Sequence, residues 1–238
     1  TCFLPSLEDG YLKELGAKLK EMQFDTVFAW GHPNGLERGL NQEAFEEVKR
    51  LVPKTKLIGT DVMRITGSAF DWRHENHRDH IARLVPMYKE IARIAEDCGV
   101  KVAVENHIDF TSDEILEMIQ AVDSPNFGVN FDTGNFLRLL DDPIKGMEKL
   151  APYVFSTHIK DLVMHPTARP DDWYYFCGVP VGMGLVDNMK LAEILSKNNY
   201  QGFLAVEIDA PAPEWLNMED EAIAVSVHNL RKIGNAYK

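Results

Sequence analysis

The sequence has few cysteines, no long apolar run and no phosphate-binding glycine loop. Its three cysteines, Cys2, Cys98 and Cys177, are odd in number and widely spaced, which argues against a disulfide framework and against a Cys-x-x-Cys metal site. No segment approaches the roughly 20 apolar residues of a bilayer span, and the first residues lack the pattern of a secretory signal. We therefore expect a cytoplasmic protein with no membrane partner.

Basic residues are scarce relative to acidic ones. The chain carries 25 lysines and arginines against 37 aspartates and glutamates, a formal net charge of −12. Such a charge repels phosphate backbones, so nucleic acid is not an expected partner. The segment Gly182-Met183-Gly184 lacks the third glycine of the dinucleotide-binding fingerprint. A bound dinucleotide is therefore not expected either.

Short, nearly continuous apolar runs alternate with amphipathic stretches along the 238 residues. Continuous apolar runs are typical of strands covered on both faces, as in a parallel sheet. Six strands are predicted in this way: Asp25–Ala29, Asp61–Thr66, Lys101–Glu105, Gly128–Asp132, Val154–His158 and Phe203–Glu207.

Helices are predicted between these strands. The longest, His77–Asp97, keeps a period near 3.6 residues and ends at Gly99, with a kink or break expected at Pro86. Thr111 and Glu114 have the spacing of a capping box. Further helices are predicted from Pro143, over Asn188–Lys197 and over about Met218–Ile233.

Strand and helix alternation over this length fits an open doubly wound sheet or a closed barrel. Because the glycine loops of the open sheet are missing, we predict an α/β fold, a (β/α)8 TIM barrel of parallel strands, in a single domain of residues 1–238. A remnant strand at Cys2–Leu4 would be the seventh. The eighth would come from Trp173–Cys177, or from a βα unit before Thr1 that is absent or donated.

Four predicted strands end in residues that bind metals or move protons: Glu105, Asp132, His158 and Glu207. In a barrel the carboxyl ends of the strands converge, so these side chains are predicted to hold one divalent cation. Three carboxylates crowded without a cation would repel one another. Oxygen and nitrogen ligands suit Mn²⁺, Mg²⁺, Co²⁺ or Zn²⁺, of which Mn²⁺ is the preferred expectation.

The strings Val-Glu-Asn-His, Phe-Asp-Thr-Gly-Asn, His-Ile-Lys-Asp and Val-Glu-Ile around these four residues resemble the xylose isomerase-like TIM-barrel superfamily. The likeness is to its branch of sugar phosphate isomerases and epimerases related to tagatose and psicose 3-epimerases. The resemblance implies that Glu105 and Glu207 also form the proton-transfer pair, and that His107 and Lys160 lie near substrate oxygens. Met183 and Asn135 depart from the pattern, where family members often have glutamate and histidine.

These residues predict a metal-dependent isomerase or epimerase that removes a proton next to the carbonyl of a sugar or keto-sugar, with Glu105, Glu207 and His107 catalytic. One alternative is a lyase that eliminates an aglycone from a 3-oxo-glycoside, as some barrels of this superfamily do with C-glycosides. Another is a non-catalytic metal-binding subunit. His107 has an alternative role in hydrogen bonding behind the ligands, and Lys160 has an alternative partner in Asp161.

Aromatic residues follow several predicted strands, where barrel loops build the mouth of the site. Trp30, Trp72 and Trp173 are predicted, with Lys160 and Arg169, to contact a small-molecule carbohydrate substrate. The alternative for each tryptophan is ordinary loop anchoring. The long segment Leu162–Asp187 is predicted to be a lid or subunit-contact loop, which favours a homo-oligomer and also allows a hetero-oligomer.

Overall fold

The computed structural model describes residues 1–237, and its helices from His77 onward lie close to those predicted, whereas the two helices before His77 were not individually predicted. Apolar stripes of period 3.6 and polar caps define them. Gly59 and Gly99, both in the left-handed conformation, lie three and two residues before the strands that follow them. The helices are α1 Asp9–Glu21, α2 Gln42–Leu51, α3 His77–Cys98, α4 Ser112–Val122, α5 Pro143–Leu150, α6 Asn188–Lys197 and α7 Glu219–Ala236.

Six strands form one sheet in the order β1-β2-β3-β4-β5-β8, in which β1 with β2, β2 with β3, β3 with β4, and β5 with β8 pair in parallel. The prediction of a parallel sheet is therefore confirmed. Valine, alanine and phenylalanine supply the apolar residues of the central strands β3 and β4, which are buried on both faces. The strands are β1 Phe28–Ala29, β2 Val62–Ile65, β3 Lys101–Glu105, β4 Phe127–Asp132, β5 Val154–Ile159 and β8 Ala205–Val206.

The two extra strands proposed to complete the barrel are not part of this sheet. Cys2–Leu4 forms a turn, in which the backbone N–H of Leu4 donates to the carbonyl of Thr1. Trp173–Cys177 overlaps a strand, β7 Phe176–Val179, but this strand pairs antiparallel with β6 Asp161–Met164. The long segment Leu162–Asp187 therefore contains much of a β-hairpin rather than an irregular lid, because alternate apolar residues let it pair with itself.

The chain divides into two compact units. The first comprises residues 1–130 and 153–156, with β1 to β3, most of β4, and α1 to α4. The second comprises residues 131–152 and the chain from residue 157 onward, with the hairpin, β8 and α5 to α7. A core of the second unit joins Ile159, Val181, Ala192, Leu230 and Ile233. The single domain stays a prediction.

Helix α3 runs without interruption through Pro86, so the predicted break is wrong. Leu84 and Tyr88, on either side of the proline, are both fully buried in the first unit. Burial of such side chains contributes about 1.5–3 kcal/mol each. This is comparable with the roughly 3 kcal/mol that a proline costs inside a helix. Tertiary packing therefore overrides the local preference.

Among residues 1–237, no helix is long and apolar enough to cross a membrane.

The capping box predicted at the start of α4 is present. The backbone N–H of Glu114 donates to the hydroxyl of Thr111, and the Glu114 carboxylate accepts from the backbone N–H of Thr111. We expect Thr111→Ala to lower the free energy of unfolding by about 1 kcal/mol, because the helix loses one cap. Urea denaturation followed by circular dichroism measures the change. Thr111→Ser keeps the hydroxyl and serves as the control; equal loss in both variants would contradict the cap.

Candidate metal centre

Three of the four predicted metal ligands come together in the second unit. Asp132 is the last residue of β4, His158 lies near the end of β5, and Glu207 directly follows β8. His158 Nδ1 lies 2.6 Å from Glu207 Oε2 and 3.9 Å from Asp132 Oδ2. One ligand atom of each residue lies within 4.8 Å of the others. We call these three residues the acid–imidazole cluster.

The carboxylate of Asp132 is oriented by the backbone that follows it. Its Oδ1 accepts hydrogen bonds from the backbone N–H groups of Gly134 and Asn135, at 2.9 and 3.0 Å. The residue is fully buried. Because Oδ1 is occupied by the chain itself, Oδ2 is the oxygen turned toward His158, as a ligand to an ion requires.

Lys160 brings a positive charge to the cluster. Its Nζ lies 3.0 Å from Asp132 Oδ2, 3.5 Å from Glu207 Oε2 and 2.9 Å from Asp209 Oδ2. Carboxylate oxygens from three residues thus surround the Lys160 ammonium. The same oxygens would attract a divalent metal ion. The donor set therefore fits a divalent metal ion.

The alternative in which Lys160 merely pairs with Asp161 stays a prediction, and the contacts of Lys160 described above are to other carboxylates. The Asp161 carboxylate instead accepts hydrogen bonds from the backbone N–H groups of Gly182, Gly184 and Val186. Burial raises the pKa of Asp161, although these N–H donors oppose the shift. These three backbone donors belong to residues 182–186, so Asp161 anchors the loop that follows the hairpin.

Two residues that the sequence reasoning missed, the buried side chain of Arg138 and the partly exposed Asp209, form an ion pair beside Lys160. Arg138 donates to both carboxylate oxygens of Asp209, at 2.7 and 3.0 Å, and to the Phe176 carbonyl at 3.2 Å. Burial alone would raise the pKa of Asp209, but the hydrogen bonds and charge of Arg138, together with Lys160, hold it well below its usual range. The string Val-Glu-Ile-Asp could have indicated Asp209, because residues two apart in an extended chain, here Glu207 and Asp209, lie on the same face.

Glu105, the fourth predicted ligand, lies in the first unit as the last residue of β3 and is fully buried. Its carboxylate accepts a hydrogen bond from Arg64 Nε, and Arg64 also donates to the Trp30 carbonyl at 3.2 Å. In the parallel register Glu105 is paired with Asn130 of β4, two residues before Asp132 in the same strand. Arg64 was not predicted as a site residue. Its position as a charged residue within an otherwise apolar strand could have indicated a functional role.

His107 follows β3 and is held by a tight turn. Its backbone N–H donates to Asp109 Oδ1 at 3.0 Å, while Asp109 Oδ2 accepts from the backbone N–H of Ser68 at 3.2 Å. Burial raises the pKa of Asp109 to about 7, against the hydrogen bonds from the His107 and Phe110 backbone, which lower it. The catalytic role of His107 stays a prediction.

The predicted aromatic and arginine contacts lie in different surroundings. Trp30 is fully buried and donates to Glu47 at 2.8 Å, which fits loop anchoring. Trp72 is partly buried beneath the Arg38 guanidinium, 4.2 Å from the ring centroid. Trp173 is 43% exposed. The Arg169 side chain is 75% exposed and pairs with its neighbours Asp171 and Asp172. Substrate contact by these four residues stays a prediction.

Comparison with known proteins identifies the family of this chain. The pattern of the family described as xylose isomerase-like TIM barrel matches residues 2–233. An inosose dehydratase of Clostridium beijerinckii is 28% identical over 131 residues, 50% of this chain and 44% of the relative. A 3-oxo-isoapionate decarboxylase of Pectobacterium atrosepticum is 29% identical over 131 residues, 52% of this chain and 46% of the relative. The matches thus span about half the length of these relatives.

Solved structures of similar fold cover nearly the whole chain. A xylose isomerase domain protein from Planctomyces limnophilus has a TM-score of 0.78 at 21% identity, over 95% of this chain and 82% of that one. The IOLI protein, with a bound zinc atom, has a TM-score of 0.73 at 20% identity, over 95% and 82%. D-Psicose 3-epimerase from Clostridium cellulolyticum H10, with D-tagatose, has 0.71 at 15%, over 95% and 84%. These likenesses confirm the predicted TIM-barrel fold.

We expect Asp209→Asn to lower the free energy of unfolding by about 3 kcal/mol, because two buried cations, Arg138 and Lys160, lose a countercharge. Chemical denaturation measures the loss. The exposed ion pair of Arg169 and Asp171 gives a matched control. Asp171→Asn should lower the free energy of unfolding by less than about 0.5 kcal/mol. In the double variant Arg138→Met, Asp209→Asn the losses should be less than additive. Additive losses would contradict the pair.

We expect the stability difference between the wild type and Asp109→Asn to depend on pH. Because the folded-state pKa of Asp109, about 7, exceeds the ordinary value of 3.8, the folded protein binds this proton more tightly than the unfolded chain. The wild type therefore loses stability relative to the variant as pH rises from 4 toward 8. Urea midpoints at pH 5.5 and 8 measure this. A difference that stays constant, or moves the other way, would count against a buried neutral acid.

Proposed function

We propose, from the premise that the chain belongs to the xylose isomerase-like TIM barrel family, that it is an enzyme dependent on one divalent metal ion. It moves a proton next to the carbonyl group of a sugar or keto-sugar, as an epimerase or isomerase. The observation that carries this proposal is the acid–imidazole cluster, in which three residues from separate strand ends approach within 4.8 Å. Sites at the carboxyl ends of barrel strands are where such enzymes carry out their chemistry.

The ion is held, in this proposal, by Asp132, His158 and Glu207, with Glu105 as the fourth ligand. Each of the four residues offers one ligand atom. The register of β3 against β4 supports the inclusion of Glu105, because Asn130 and Asp132 share a face of β4 and Glu105 is the partner of Asn130. Three carboxylates and one imidazole suit Mn²⁺, which we prefer, as well as Mg²⁺, Co²⁺ and Zn²⁺.

An ion bound there would supply Lewis acidity toward the carbonyl oxygen and the neighbouring hydroxyl oxygen. The remaining work belongs to side chains of this chain. Glu207, whose side chain is 35% exposed, is accessible enough to take a proton from the carbon next to the carbonyl. Glu105, buried and on another strand, returns a proton from the other face, which inverts that carbon. Return to the neighbouring carbon would isomerise the substrate instead.

Lys160 orients the substrate in this proposal. Its ammonium lies among carboxylates of Asp132, Glu207 and Asp209, and these partners fix its direction. A lysine held in this way donates a hydrogen bond to a substrate oxygen that becomes negative as the proton leaves. Arg138 limits the movement of Asp209 and hence of Lys160.

Elimination is the second candidate reaction. It is favoured by one of the curated relatives, an inosose dehydratase. Proton removal next to a carbonyl is the shared first step, and loss of a group from the adjacent carbon then replaces proton return. His107, two residues beyond Glu105, would donate a proton to the leaving group.

Incubation in deuterated water with Mn²⁺ tests the proposal. The compounds tested are D-fructose, D-psicose, L-ribulose, an inosose and a 3-oxo-glycoside. We expect at least one of them to incorporate deuterium next to its carbonyl when the protein is present. NMR and mass spectrometry measure the incorporation. Altered stereochemistry identifies an epimerase, a moved carbonyl an isomerase, and a lost group a lyase. Glu207→Gln should lower kcat by about 10²–10⁴-fold, because the base is lost.

The matched control is Glu214→Gln, an exposed glutamate of the second unit, which should leave kcat unchanged. If no compound exchanges while Mn²⁺ is bound, the chain is better described by the non-catalytic alternative. Equal losses in both glutamine variants would remove Glu207 from the reaction.

A further inference from the structure

A cavity of about 340 Å³ opens at the carboxyl ends of β1 and β2 in the first unit. Its polar lining comes from His32, Arg64, Thr66, Ser68 and His107. Thr66 directly follows β2, and His32 follows β1 by three residues. The volume lies within the range of small-molecule sites. Its position at the strand ends is where TIM barrels bind substrates.

The cavity is joined to the proposed site by Arg64. The guanidinium lines the cavity and at the same time donates to the carboxylate of Glu105, within the same unit. His107, which the sequence predicts near substrate oxygens, lines the cavity as well. A substrate whose carbonyl end reaches Glu105 would therefore have its opposite end in this cavity.

The charge of the cavity is close to balanced. Among the described residues that line it, Arg64 is the one with a permanent charge, and the buried carboxylate of Glu105 is its partner. The ring of His32 accepts a hydrogen bond at Nδ1 from the backbone N–H of Asn34, at 3.3 Å. Nε2 is therefore the ring nitrogen that remains for a hydrogen bond with a ligand hydroxyl.

The hydroxyl-bearing residues Thr66 and Ser68 also line the cavity. Thr66 and Ser68 are 4% and 2% exposed, and each hydroxyl both donates and accepts. The hydroxyls of a polyol also both donate and accept, so hydrogen bonds between them and Thr66 or Ser68 would bring no unbalanced charge into the cavity. A phosphate, with a charge of about −1.5 to −2, needs several cationic or N–H donors. In this cavity it would meet one guanidinium that Glu105 already neutralises.

We propose that this cavity binds the uncharged, hydroxyl-bearing end of the substrate, so that the protein selects free polyols over their phosphate esters. The inference deepens the proposed function and rests on it for the position of the carbonyl end. Thr66, Ser68 and His32 are the specificity-determining residues, through hydrogen bonds to hydroxyls remote from the carbonyl. Discrimination follows because an ester phosphate would be desolvated without a matching cation.

Cys2 gives a direct readout, because it is exposed and lines the same cavity, whereas Cys98 lies elsewhere. The experiment measures the rate at which iodoacetamide alkylates each cysteine of the intact chain, by peptide mass spectrometry. The probes are D-fructose and D-fructose 6-phosphate, which differ only at the carbon farthest from the carbonyl. Mn²⁺ is present at a fixed concentration throughout.

We expect saturating D-fructose to slow alkylation of Cys2 by at least about fivefold, since the rate follows the fraction of protein without ligand. D-fructose 6-phosphate at the same concentration should slow it by less than about twofold, and Cys98 should react equally in all samples. Equal or stronger protection by the phosphate ester would overturn the inference. So would the absence of protection by D-fructose, D-psicose and an inosose alike.

The variants Thr66→Val and Ser68→Ala remove hydroxyls with little change of shape, and each should reduce the protection by D-fructose. Thr167→Val, an exposed threonine of the hairpin, is the matched control and should leave it unchanged. An unaltered Cys98 rate in each variant verifies folding. Unchanged protection in both cavity variants would contradict the assignment.

The outcome is separable from that of the proposed reaction. Protection of Cys2 without deuterium exchange would leave the polyol site and refute the proton transfer. Exchange without protection would leave the reaction and refute the cavity as its binding site.

Discussion

The balance of charge among buried carboxylates is the constraint on which the rest of the second unit depends. Asp132 is fully buried, and Glu207 and Asp209 are partly exposed beside it. Carboxylates this close repel one another unless cations are interposed. Lys160 and Arg138 supply two positive charges, and the donor geometry accommodates a divalent ion in addition. The strand ends, the hairpin and the short turn after Asp132 are arranged so that these charges meet.

Much of the fold follows from local sequence patterns. Lys101–Glu105 is a strand with the predicted bounds, and the capping box at Thr111 starts a helix where its spacing indicated. Both depend on residues close in the chain, where apolar period and hydrogen-bonding side chains decide the structure. Placing Asp132, His158 and Glu207 at strand ends required one further rule, that parallel strands end on one side of a sheet.

The parts that sequence reasoning missed depend on contacts between distant residues. Arg138 and Asp209 are 71 residues apart, and no local pattern signals their pairing. The hairpin of β6 and β7 was missed because a long loop between strands suggested a lid, whereas its register brings Asp161 opposite Val179. The helix does not break at Pro86 because burial of its neighbours offsets the local cost of the proline, while the kink stays a prediction.

The measurement that tests the central claim most directly is a titration of the metal-stripped protein with Mn²⁺, followed by electron paramagnetic resonance and calorimetry. The account predicts one ion per chain. It also predicts that His158→Ala and Asp132→Asn each weaken binding by at least about tenfold, because a ligand is lost. The exposed variant Asp171→Asn should bind Mn²⁺ as the wild type does. Binding that is absent, or that is unchanged in both ligand variants, would contradict the account.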